Sequence, residues 1–134
     1  MGALRPTELL IDTSVFVALE QGRIVADLPE DRPWQVSVVT IGELHRGVIA
    51  ATDDGIRAQR LATYREVIEH FEPVPIDETV AITWGEYEHL AAVQRRSTGE
   101  ADSWIAATAA THGLTLVTQN RGFEWFPDLD VLVV

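Results

Sequence analysis

Short apolar runs alternate along this chain with stretches in which apolar residues recur every three or four positions. The run Glu8–Asp12 (ELLID) reads as a buried strand, and residues 13–21 continue as a helix closed by Gly22. Residues 23–33, with Pro29, Pro33 and intervening acids, form a loop before a second strand-like run, Gln35–Val39 (QVSVV). A second helix follows at once on the stripe Ile41, Leu44, Val48 and Ala51, and Asp53-Asp54-Gly55 ends it. Leu61, Tyr64, Ile68 and Phe71 predict a third helix over 56–71, broken by Pro73 and Pro75. Val74–Ile76 is a minimal strand. Asp77 then suits an N-cap for a fourth helix, carried by Val80, Trp84, Tyr87 and Ala91 and ending near Arg95. An Ala-rich fifth helix over 101–112 stops at Gly113, Leu114–Thr118 (LTLVT) is the next strand, and Val131–Val134 suits an edge strand.

Strands alternating with helices imply an α/β sandwich with a mainly parallel sheet, in which the functional crevice lies beyond the carboxyl ends of the strands. Three acids stand there. Asp12 follows the first strand, Glu43 lies early in the helix after the second, and Asp102 opens the fifth helix. Each has a local explanation: Asp12 as an N-cap, Thr40-Ile-Gly-Glu43 as a capping box, Asp102 as an acid favoured by the helix dipole. Those explanations do not require all three at one end of one sheet. Two carboxylates about 4 Å apart repel by roughly 4 kcal/mol at an effective dielectric of 20, so convergence calls for a cation or bound protons. Oxygen ligands without cysteine or a histidine set suit a hard ion, Mg²⁺ or Mn²⁺.

Asn120, just past the strand LTLVT, projects to the same end, where its amide could bind a metal or orient a carboxylate; a turn before Arg121-Gly122 explains it equally. Thr13, Ser14 and Thr118 place hydroxyls at the rim, with capping as the alternative. His45, His70, His89 and His112 are scattered over separate helices, and the four tryptophans suit core or interface anchors.

Composition narrows the picture. With 134 residues, 46% of them hydrophobic, the chain fits one domain with a core that needs no staple. The absence of cysteine excludes disulfides and agrees with a reducing compartment. No apolar run spans a bilayer and the opening MGALRPTE lacks a signal-peptide core, so a cytoplasmic location is expected. The net charge is -11, and all ten cations are arginine. Such a surface repels nucleic acid, so a polynucleotide would have to be held by local arginines or metal ions, whereas a basic protein partner would be attracted. The lack of lysine argues against a response-regulator receiver, and Asp12-Thr13-Ser14 does not match a D-x-D-x-T phosphatase.

LLIDTSVFVALE, VSVVTIGELHRGV and ADSWIAATAATHGLTLVTQN, with the closing strand after Pro127, together resemble PIN-domain ribonucleases, specifically VapC-type toxins of type II toxin-antitoxin pairs, over nearly the whole chain. The resemblance implies a PIN-like three-layer α/β/α sandwich around four to five strands, spanning residues 1–134 as a single domain. It implies a Mg²⁺-dependent endoribonuclease, with Mn²⁺ an alternative, in which Asp12, Glu43 and Asp102 match the family's acidic positions and Asp12 and Asp102 hold the metal. Asn120 stands where the family often has a fourth Asp. A neutral residue there weakens a second metal site. Arg46 and Arg121 are the candidate phosphate contacts for a single-stranded or looped RNA.

The resemblance further implies a homodimer and a VapB-like antitoxin forming a hetero-oligomer with it, bringing an Arg to the acidic pocket and supplying any DNA binding. The stripes of the third and fourth helices could build its groove. Two other readings are a catalytically weak PIN domain that mainly binds protein, which Asn120 favours, and a housekeeping RNA-processing nuclease.

Overall fold

The computed structural model describes residues 7–134, so most of the opening segment read for a leader lies outside the described residues. Five strands pair throughout in parallel, in the order β3-β2-β1-β4-β5. They are β1 (Leu9–Ile11), β2 (Trp34–Ser37), β3 (Pro73–Val74), β4 (Thr115–Thr118) and β5 (Val131–Val133). β1 is central, and the chain adds β2 and β3 on one side of it before crossing to add β4 and β5 on the other. That reversal creates a crevice at the carboxyl end of β1.

The helices are α1 (Thr13–Glu20), α2 (Val38–Ala50), α3 (Asp54–His70), α4 (Glu78–Val93) and α5 (Glu100–His112). Because side chains alternate across a strand, the sheet feeds two cores. Leu9, Ile11, Val36 and Val117 face α1, α2 and α3 with Val15, Phe16, Leu44 and Val67. Leu10 and Leu116 face the other layer with Ile105, Ala106, Ala109, Val80 and Phe123. The alanines of α5 let it lie close to the sheet, and α4 packs along α5, where Trp84 and Trp104 stack with centroids 4.4 Å apart. Among the described residues no helix is long and apolar enough to cross a membrane.

Several local expectations shift. The second strand stops at Ser37, and Val38 and Val39 already belong to α2 because the Ser37 hydroxyl accepts the Val39 N–H at 3.0 Å and caps that helix. Thr40 is therefore inside α2, and the capping box expected at Thr40–Glu43 does not form. Asp53 does not close α2 but starts α3, its carboxylate accepting the Ile56 N–H at 2.9 Å. On α3 the buried residue is Val67 rather than Ile68, which is 44% exposed. The cleft that α3 lines is shared with α1 and not with α4. Asp77 caps α4 as expected, and Gly113 ends α5 with φ 63°, a conformation glycine takes without steric cost.

Ser37→Ala should cost about 1 kcal/mol of stability, measured by urea unfolding, since it removes the cap of α2 without leaving a sizeable cavity. A neutral result would return the capping role to Thr40.

Candidate active site

The side chain of Asp12 is fixed by two hydroxyls. Its backbone N–H extends the β1–β4 ladder to Val117 O at 2.9 Å, while its carboxylate, at the N-cap position of α1, makes no capping bond. Instead Oδ2 accepts from Ser14 Oγ at 2.6 Å and from Thr118 Oγ1 at 2.9 Å. Each hydroxyl is itself held from the backbone after β4: Gln119 N–H donates to Ser14 Oγ at 3.1 Å and Asn120 N–H to Thr118 Oγ1 at 3.0 Å. Asp12 is 4% exposed and Thr118 is fully buried. Both hydroxyls bond to the same oxygen and, among the described residues, leave Oδ1 as the oxygen open to a ligand.

Glu43 is placed from the other side. Thr13 Oγ1 lies 2.6 Å from Glu43 Oε1 and 2.9 Å from Thr40 Oγ1. A hydroxyl has one proton to give, and the closer, charged acceptor takes it. Thr13 thus ties α1 to α2 at the mouth of the crevice. The rim hydroxyls expected at residues 13, 14 and 118 are orienting groups for the two carboxylates.

Asp102 lies in the first turn of α5, half-buried, beside the N-cap Gly99, where an added Cβ would sit 3.2 Å from its Oδ2. Burial pushes its carboxyl up from 3.8 to about 6, and the charges of Asp12 and then Glu43 push the same way. That perturbation registers the convergence of three acids from three elements. Neither ion pair among the described residues, Arg57–Asp54 or Arg121–Glu124, involves any of them. No ion pair among the described residues therefore offsets the charge of the trio. Among the described residues no group of three such side chains stands close enough to enclose a metal ion. Donor chemistry and unbalanced charge fit a hard divalent ion, which would have to close the gap.

Asn120 is exposed, and its Oδ1 accepts the Gly122 N–H at 2.8 Å, capping a 3₁₀ turn over Arg121–Trp125. The turn explanation is the one realised. Its amide oxygen is engaged by the backbone, although the residue lines the same cleft as Asp102. A Cβ at Gly122 would come within 2.9 Å of that oxygen, so a side chain there would displace the Asn120 amide from its cap. Arg121 is held by Glu124 at 3.1 Å and lines a separate shallow groove beside β5; Arg46 is exposed on α2. The arginine that does line the cleft with Asp102 is Arg96, which the sequence reading passed over. Its signal was the Arg95-Arg96 pair just ahead of the fifth helix. His45 packs beside Tyr64, ring centroids 5.2 Å apart.

A family model described as the PIN domain matches residues 9–129. Ribonuclease VapC4 of Mycobacterium tuberculosis is 39% identical over 125 residues, covering 93% of this chain and 95% of that protein. The chain belongs to the PIN-domain family of VapC ribonucleases. Ribonuclease VapC5 of the same organism is 43% identical over 119 residues, covering 88% of this chain and 87% of its own. Among solved structures, a VapBC-5 toxin-antitoxin crystal structure from Mycobacterium tuberculosis superimposes with a TM-score of 0.80 at 35% identity, covering 96% of this chain and all of that one. The five-stranded parallel sheet with helices on both faces is thus the PIN-like architecture of VapC proteins.

Asp102 binds its proton more tightly folded than unfolded, so its contribution favours the fold at low pH and is lost as pH rises from 3.8 through about 6. In chelator, Asp102→Asn should stabilise the protein at neutral pH by about 1 kcal/mol, after allowance for solvent screening, and flatten that slope. Urea unfolding at about pH 4.5 and about pH 7.5 measures both. A substitution that destabilises at the higher pH would contradict the like-charge account.

Proposed function

We propose that this chain is the toxin of a type II toxin-antitoxin pair, a Mg²⁺-dependent endoribonuclease whose active site is the crevice of Asp12, Glu43 and Asp102. The observation that carries the assignment is the placement of Asp12, held by Ser14 and Thr118, and Glu43, held by Thr13, at the crevice where Asp102 opens α5. The Asp102 carboxyl, raised chiefly by burial and further by the charges of Asp12 and Glu43, agrees with it. Asp12 and Asp102 would hold the ion, with Asp12 offering the Oδ1 left open by Ser14 and Thr118. When bound, Mg²⁺ supplies charge stabilisation at the scissile phosphate and eases ionisation of a water.

The chain's own groups do the rest. Ser14 and Thr118 hold the Asp12 carboxylate in one orientation, so ligand binding costs little further ordering. Thr13 occupies one oxygen of Glu43 and leaves the other to orient the attacking water or take its proton. Unpaired RNA is the substrate best suited, because a splayed backbone can enter a crevice recessed behind helix ends. Asn120, engaged by its turn, borders the site without a fourth negative charge, which favours one tightly bound ion over two.

The partner would be a VapB-like antitoxin, in a hetero-oligomer built on a toxin homodimer, with DNA contacted through the antitoxin. A cleft of about 280 Å³ between α1 and α3, walled by Phe16, Leu19, Trp34, Val67 and Phe71, offers an apolar seat for its segment. An antitoxin arginine reaching the acidic crevice would supply the cation that the trio lacks. The expected location is the cytoplasm, where RNA and such a partner meet.

Purified free of any partner, the protein should cleave single-stranded RNA in Mg²⁺ or Mn²⁺ and stop in chelator. Asp12→Asn, Asp102→Asn and Glu43→Gln should each lower the rate by about 100-fold or more while circular dichroism stays unchanged. Cleavage that persists through chelation or through these substitutions would end the assignment.

A further inference from the structure

The cleft beside Asp102 extends away from the acids as a space of about 270 Å³ along Arg96, Ser97, Thr98 and Trp125. Trp125 is a fixed platform. It stacks on buried Phe126 with centroids 4.4 Å apart, and Phe126 in turn packs against Tyr87 at 4.9 Å and Phe123 at 6.0 Å. The guanidinium of Arg96 also lies over the Trp125 ring, its central carbon 5.1 Å from the ring centroid. Arg96 is exposed, and its side chain is otherwise held by an exposed hydrogen bond from Nε to Gln94 Oε1 at 2.9 Å.

The backbone puts Arg96 there on purpose-built geometry. At the end of α4, Arg96 N–H reaches Ala91 O at 2.8 Å and Arg95 N–H reaches Ala92 O at 3.2 Å, the paired closure of a Schellman turn. Arg95 holds the left-handed position, φ 54°, where glycine is the usual occupant. The following residue is thereby directed over the indole.

A flat ring lining the same cleft as Asp102, with one exposed, replaceable cation over it, fits an unpaired nucleobase. Charge favours the same occupant. A chain of net charge -11 gains little from general attraction to a polyanion, and the lining of this cleft holds one cation, Arg96, and one anion, Asp102. Stacking depends weakly on net charge and accepts any base, so it supplies affinity where Coulombic attraction does not. The volume suits one heterocycle better than a folded motif.

We propose that the Trp125–Arg96 ledge is a stacking subsite for one unpaired base of the RNA, next to the phosphate that is cut. The base takes the guanidinium's place on Trp125, and Arg96 moves outward to the strand's phosphate. The proposal rests on the ribonuclease reading for its ligand class, and the test separates the two.

Labelled single-stranded RNAs carrying one abasic nucleotide at each position in turn are bound to cleavage-deficient Asp12→Asn protein and followed by fluorescence anisotropy. The same RNAs are given to the unsubstituted protein in Mg²⁺ to map cuts. One abasic position, at a fixed offset from the cut, should weaken binding by about tenfold, and Trp125→Ala should weaken binding of intact RNA by about the same factor. Abasic substitution should then cost the Trp125→Ala protein nothing further. Trp125→Phe should retain most of the affinity, and Trp125→Leu, which keeps apolar bulk, should lose it, separating stacking from folding. A flat abasic scan, or Trp125→Leu binding as well as the parent, overturns the subsite. RNA cleavage that ignores Trp125 leaves the nuclease and removes the subsite; Trp125-dependent binding without cleavage does the reverse.

Discussion

The parallel pairing of β1 with β4 fixes the position of Asp12, the reference point of the crevice. Leu9, Leu10 and Ile11 lie opposite Thr115, Leu116 and Val117, and the ladder runs one bond further, from Asp12 N–H to Val117 O. Only in that register does Thr118 present its hydroxyl to the Asp12 carboxylate. Slipping the pair by one residue would turn Leu10 and Leu116 into the wrong core and send Asp12 to the opposite face. The two apolar layers therefore select the register, and the register brings the acid to its partners. Packing fixes position here, and the polar groups only refine orientation.

Against that fixed strand the other two acids arrive by less constrained routes. Glu43 comes in on α2, whose start is set by the Ser37 cap and whose angle is pinned by the Thr13 hydroxyl. Asp102 comes in on α5, pressed to the sheet by alanines that give it no bulk to ride over. The arrangement concentrates negative charge without an ion pair to relieve it among the described residues. A protein that keeps such a cluster gives up stability at neutral pH in return for a strong preference for cations, whether a metal ion or a partner's guanidinium.

Much of this was legible in the chain. Alternation of buried runs with helical stripes revealed the layered sheet, and the ends of those runs revealed where the acids would gather, because strand and helix periods are properties of local sequence. Thr40–Glu43 misled because the spacing of a capping box says nothing about which of two hydroxyls, Ser37 or Thr40, meets the helix start; the buried Ser37 wins through tertiary position. Ile68 misled because Val67 and Ile68 suit an apolar stripe equally, and the cleft with α1 decides between them. The 3₁₀ turn after Asn120 has no periodicity to display. The importance of Arg96 was hidden for a similar reason: it depends on Arg95 adopting a glycine-like conformation and on an aromatic stack 29 residues further on, neither of which has a local signature.

Asp12 has hydrogen bonds on one oxygen, a buried strand behind it and a second strand beside it. Asp102 sits one turn into a helix whose approach, from Gln94 to Gly99, lies largely at the surface and is tied back by the Ser103 hydroxyl to Thr98 and to the Gly99 carbonyl. The two acids therefore differ as a datum differs from an adjustable stop. A substitution in β1 displaces the reference against which everything else is measured. One between Gln94 and Gly99 resets a single jaw, so divergence among related proteins in what they grip has room to accumulate on that side without disturbing the other.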